Sequence, residues 1–133
     1  MPKYLPLEIG IKIKTSISGM IDLRWRRGSL VADFLIPGDD LNVIRVQFDK
    51  ALIVRILDEM PLSTEFEPTP NEGLVSEHFA YRVEGAQFWK MQSEALRATS
   101  RNAEHYRFTT GWDCLDVIAA SAPVITVERA EGS

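Results

Sequence analysis

Hydrophobic and polar residues alternate with period two over most of the first half of the chain. Leu7, Ile9, Ile11 and Ile13 fall on one side and Glu8, Lys12 and Lys14 on the other, the pattern of a strand with one buried face. A turn through Ser16-Ile17-Ser18-Gly19 follows. Ile21, Leu23 and Trp25 then alternate with Asp22, Arg24 and Arg26 up to Gly28-Ser29, a Gly-first pair suited to a type II′ hairpin loop. With that loop Trp25, on the buried face, meets Ala32, Leu23 meets Phe34 and Ile21 meets Ile36, while Arg24 meets Asp33 on the outer face. One register thus delivers an apolar face and a cross-strand ion pair together.

Pro37-Gly38-Asp39-Asp40 interrupts the pattern, and Val43 to Phe48 and Leu52 to Leu57 read as two strands around Asp49-Lys50. Both faces of these strands are apolar, which predicts central strands or strands covered on both sides. Residues 58–76 carry three prolines, five acidic residues and no periodicity, and read as a long acidic loop. Phe79 to Val83 reads as a short strand, and the composition of 86–100 predicts a helix. Tyr106, Phe108 and Thr110 then alternate with His105, Arg107 and Thr109. A two-residue Gly111-Trp112 loop would set Phe108 opposite Leu115, Tyr106 opposite Val117 and Arg107 opposite Asp116. A short helix capped by Asp113 and running to Ala120 competes with this strand, which is the preferred reading. The chain ends on an apolar Val124 to Val127. Together these elements predict one α+β domain over residues 1–133. It is mainly an antiparallel sheet, half-open barrel or sandwich of about six to eight strands, with one principal helix at 86–100.

Composition changes this picture little. Hydrophobic residues make up 45% and charged residues 26%, an ordinary globular balance. No apolar run approaches a membrane span and the N-terminus lacks a signal-peptide core, which together predict a cytoplasmic protein with no membrane partner. The single cysteine, Cys114, agrees with a reducing compartment. The net charge of −4 gives no general attraction for nucleic acid. It is unevenly spread: residues 1–57 hold nine Lys/Arg against six Asp/Glu, and residues 58–133 hold six against thirteen.

Candidate chemistry is sparse. His78 and His105 lie in no metal-binding motif, and neither a metal nor a cofactor is expected. Cys114 with His105 permits a thiol–imidazole reading, but in the register above they do not face each other, and neighbouring aspartates raise a thiol's pKa. If the protein is an enzyme, Asp113, Asp116, His105 and Glu59 are the acid–base candidates. No phosphate-binding glycine loop and no G-x-S-x-G elbow occurs. Arg24, Arg26 and Arg27 around Trp25 form a basic, aromatic cluster, read as a solvated strand face with one ion pair.

Two stretches, IRVQFDKALIVRILDEMP (44–61) and HYRFTTGWDCLDVIAASAPVI (105–125), resemble parts of an uncharacterised family of small bacterial proteins. The resemblance covers under a third of the chain and implies an immunity-like setting, with no catalytic residues to carry over. The function expected is that of a non-enzymatic protein-binding module using Glu65, Glu67 and Glu72 of the acidic loop toward a basic partner, homo-oligomers being allowed. A small-ligand-binding β-rich domain lined by Trp25, Phe34, Phe48 and Phe108, and an enzyme with an unrecognised carboxylate/His site, are the alternatives.

Overall fold

The computed structural model describes residues 3–9, 13–26, 29–58, 78–84, 103–111 and 113–130. They form nine strands in two antiparallel sheets. The strands are β1 (Lys3–Pro6), β2 (Met20–Arg26), β3 (Ser29–Ile36), β4 (Asp39–Phe48), β5 (Ala51–Asp58), β6 (Ala80–Glu84), β7 (Glu104–Thr109), β8 (Asp113–Ala119) and β9 (Val124–Arg129). One sheet has the order β1-β6-β7-β8-β5 and the other β2-β3-β4-β9. This corrects the α+β expectation: the described residues form an all-β structure whose one helical element is a single 3-10 turn at Thr15–Ile17. The helix expected at 86–100 and nearly all of the acidic loop lie outside the described residues.

The two sheets face each other across an aromatic and aliphatic core. Leu30, Ala32 and Phe34 of β3 and Ile44, Val46 and Phe48 of β4 meet Tyr106 and Phe108 of β7 and Leu115, Val117 and Ala119 of β8. Phe79, just before β6, wedges between Phe34 and Phe108, with ring centroids 4.7 and 5.5 Å away. Phe48 packs on Tyr106 at 5.5 Å and on Phe108 at 6.0 Å. Phe34, Phe48 and Phe108 therefore fill the interior with each other's edges and faces, geometry that adds to their area burial.

The corners of the sandwich explain where the predicted strands moved. Asp49-Lys50 does not fold β5 back beside β4; it carries the chain from one sheet to the other, where β5 pairs with β8. The β8–β9 link crosses back at the same corner, and Ala120 N–H donates to the Lys50 carbonyl at 3.0 Å. β4 is central, as its two apolar faces require, but β5 is an edge strand with Leu52 and Ile56 exposed. Of the strand expected at 7–13, the described residues 7–9 and 13 lie in no strand; the strand here is Lys3–Pro6, prolonged by one bond from Leu7 N–H to the Ala80 carbonyl, 2.9 Å. Leu7, Ile9 and Ile13 do turn toward the core. Their alternation was a record of burial, whereas a strand also needs a neighbour to bond to.

Both hairpins exist, with different fidelity. In β7–β8, Phe108 faces Leu115, Arg107 faces Asp116 and Tyr106 faces Val117, as expected, and residues 113–119 are strand rather than helix. In β2–β3 the pairing is displaced by two residues: Arg24 faces Val31, Trp25 faces Leu30 and Asp22 faces Asp33. A shift of two keeps every side chain on its face, so the hydrophobic pattern cannot detect it. Asp33 is directly opposite Arg45 of β4, whose Nε and Nη2 donate to its two oxygens at 2.8 and 3.1 Å, while Arg24 approaches diagonally at 3.9 Å.

Candidate functional site

The densest polar cluster among the described residues lies on the outer face of the five-stranded sheet, centred on Asp116. Alternation along β8 sends Leu115 and Val117 into the core, and Cys114, Asp116 and Ile118 to the other side. Antiparallel pairing then sets Arg55 of β5 and Arg107 of β7 directly opposite Asp116, one on each flank. The carboxylate is fully buried. Its Oδ1 accepts from Arg107 Nε at 2.7 Å and from His105 Nε2 at 2.6 Å, and its Oδ2 accepts from Arg55 Nη2 at 2.8 Å and Nε at 3.2 Å. Arg107 continues the row, donating from Nη1 to the Tyr4 hydroxyl at 2.6 Å with its guanidinium 5.7 Å from the Tyr4 ring centre.

The charges sort themselves by neighbourhood. Burial alone would raise the Asp116 pKa, but the His105 hydrogen bond and the Arg107 guanidinium outweigh it and hold the carboxyl well below its ordinary range. His105 is shifted down, first by burial and then by the two arginines, against the pull of Asp116. It is therefore neutral with its proton on Nε2, donating to Asp116. The cluster then carries one negative and two positive charges, and a third cation would find no compensation. Burial and the Asp116 charge push the Cys114 thiol far up, leaving it protonated 3.8 Å from Oδ2 and unfit as a nucleophile.

Of the enzyme candidates, the structure brings His105 and Asp116 together and seals both from solvent, so no substrate reaches either in this state. Asp113 stands apart, as a tie between the sheets: Met20 N–H of β2 lies 3.3 Å from both its carboxylate oxygens, and Thr110 Oγ1 donates to Oδ1 at 2.8 Å. His78 Nε2 is also engaged, donating to the Leu7 carbonyl at 2.8 Å. Glu59, Glu65, Glu67 and Glu72 lie outside the described residues. Arg55 and Tyr4 were missed by sequence reasoning. The signal for Arg55 was available in a lone arginine within the apolar run Ala51-Leu52-Ile53-Val54-Arg55-Ile56-Leu57, which demands a buried anionic partner.

Solvent-facing features lie on the edge strands. Trp25 shares the core-facing side with Leu30, its cross-strand partner, but is 49% exposed, correcting its expected burial: β2 lies at the edge of its sheet, beyond the packed interior. Arg24, Trp25, Arg26, Ser29 and Val31 line an open groove of about 480 Å³. At the opposite side of the sandwich, Leu52 and Ile56 of β5 and Val124 and Val127 of β9 are exposed, Ile56 to 46% and Val127 to 44%. Ile56 and Val127 share the interlayer sides of their sheets with Val54 and Ile125, which pack on the core. Among the described residues no helix is long and apolar enough to cross a membrane. No protein-family model matches the chain, and comparison with curated proteins and with solved structures finds no match.

Proposed function

We propose that the protein is a non-enzymatic binding module of the bacterial cytoplasm that docks a protein partner on the β5/β9 side of the sandwich. The observation carrying this reading is the apolar strip formed where two edge strands end the two sheets on one side. Ile56 and Val127 remain exposed there on the interlayer sides of their sheets, with Leu52 exposed on the same edge strand as Ile56, while the polar cluster that could have reacted is sealed. The partner's expected chemistry follows from the residues next in sequence. β5 is followed in sequence by the acidic stretch that holds Glu59, Glu65, Glu67 and Glu72, which suits a basic protein with an apolar contact patch. The resemblance of 44–61 and 105–125 to small immunity-like bacterial proteins points the same way.

The test is partner capture from the cells of origin, followed by affinity measurement on the purified pair. Ile56→Glu and Val127→Glu are each expected to weaken binding by about tenfold or more, since each buries a charge in the contact. Replacing Glu65, Glu67 and Glu72 together by Gln should weaken it further at low salt and little at high salt. Binding indifferent to both sets would remove this side of the molecule from the interface.

A further inference from the structure

β2 pairs with β3 along one edge, and no described strand lies along its other edge. It is seven residues long, with no proline or lysine to guard it, and Ile21, Asp22, Arg24, Trp25 and Arg26 are all exposed. The irregularity between Met20 and Asp22 and the bond from Met20 N–H to Asp113 close one end of this edge, and the stretch from 21 to 26 has no neighbouring strand there among the described residues.

We propose that this stretch pairs antiparallel with the same stretch of a second copy, joining two four-stranded sheets into one of eight around a two-fold axis. An axis perpendicular to the sheet keeps each face on its own side, so every residue must meet a residue of the same face, and the axis must pass through a residue position. The sequence discriminates among those positions. An axis at Asp22 sets that carboxylate against itself, one at Arg24 sets two guanidinium groups together, and one at Trp25 sets Arg24 against Arg26. An axis at Leu23 instead sets Asp22 against Arg24 twice and Leu23 against itself, with Ile21, which the irregularity leaves outside the β2–β3 register, level with Trp25 of the other copy. Asp22 and Arg24, both half-exposed, then find opposite charges on either side of an apolar centre, which is the complementarity an isologous contact needs. Asp22 and Arg24 already lie 3.2 Å apart on one face of the strand, so the pairing extends that ion pair into a ring of four charges.

The test is the sedimenting mass of the full chain and of charge-swapped variants. The unaltered protein should sediment at twice the chain mass. Asp22→Arg and Arg24→Asp should each weaken the dimer by about tenfold or more, because each places like charges opposite one another. An equimolar mixture of the two variants should restore it, since each then supplies what the other lacks. Trp25→Ser, at a half-exposed position away from the charges, should also weaken the dimer, and circular dichroism would confirm that every variant keeps its strands. A monomer at all soluble concentrations, a dimer indifferent to the swaps, or a mixture that stays monomeric would each overturn the proposal.

Discussion

Asp116 keeps its charge in full burial because donors surround it. Arg55 and Arg107 flank it across the two ladders, and His105 closes the remaining approach. A buried ion pair adds little net stability over a well-packed apolar replacement, yet removing one member strands the others in low dielectric. Asp116→Asn should therefore cost about 3–5 kcal/mol in denaturant unfolding, although it changes one atom. Replacing Arg55, Asp116 and Arg107 together by Met, Leu and Met should cost much less than the single change. A triple variant as unstable as Asp116→Asn would show that the cluster contributes more than mutual compensation.

Hairpins show how far local sequence reaches. The Arg107–Asp116 pairing could be read directly, because a two-residue loop, an apolar face and an ion pair agree on one register. In the β2–β3 hairpin the same three signals misplace Arg24, since two registers differing by two residues satisfy the faces equally. The tie is broken by Arg45, a residue on a third strand. The pairing of β5 with β8 was illegible for a different reason: its partners are some sixty positions apart, as with Arg55 and Asp116, 61 residues from one another. Local patterns carry strand existence and facing, whereas sheet membership is decided by contacts between distant segments. The turn between β3 and β4 belongs to the legible part. Pro37-Gly38 at the centre of a tight turn fits a type II geometry, and Gly38 has a φ of +84° with open space where a side chain would sit. Gly38→Ala should cost about 1 kcal/mol from backbone conformation alone, measurable as a lower melting temperature with unchanged strand content. No loss would mean that the turn relaxes freely.

At the scale of the whole molecule, acid is the stress to which this sandwich should be most sensitive. The folded state lowers the His105 pKa below the ordinary imidazole value of 6.5, so the unfolded chain takes up that proton first and stability falls as pH drops below 6.5. Asp116 is also depressed, from an ordinary 3.8, so its contribution is fully present above that value and is lost at still lower pH. Unfolding free energy should thus be flat near neutrality, decline from about pH 6.5, and decline more steeply below the carboxylate range. His105→Gln, which can still donate to Asp116, should remove the first decline and keep the second. A first decline unchanged in that variant would assign it to another group.

Across these scales we propose one division of labour: the buried Asp116 row ties β5, β7 and β8 together, and the exposed β5/β9 strip docks the partner. The most direct test is the partner's affinity for folded Asp116→Asn and for folded Ile56→Glu, both measured well below their melting temperatures. The account predicts that Asp116→Asn binds like the unaltered protein despite its lower stability, and that Ile56→Glu loses about tenfold or more with its fold intact. Binding abolished by Asp116→Asn and untouched by Ile56→Glu would place the function in the buried cluster and contradict the account.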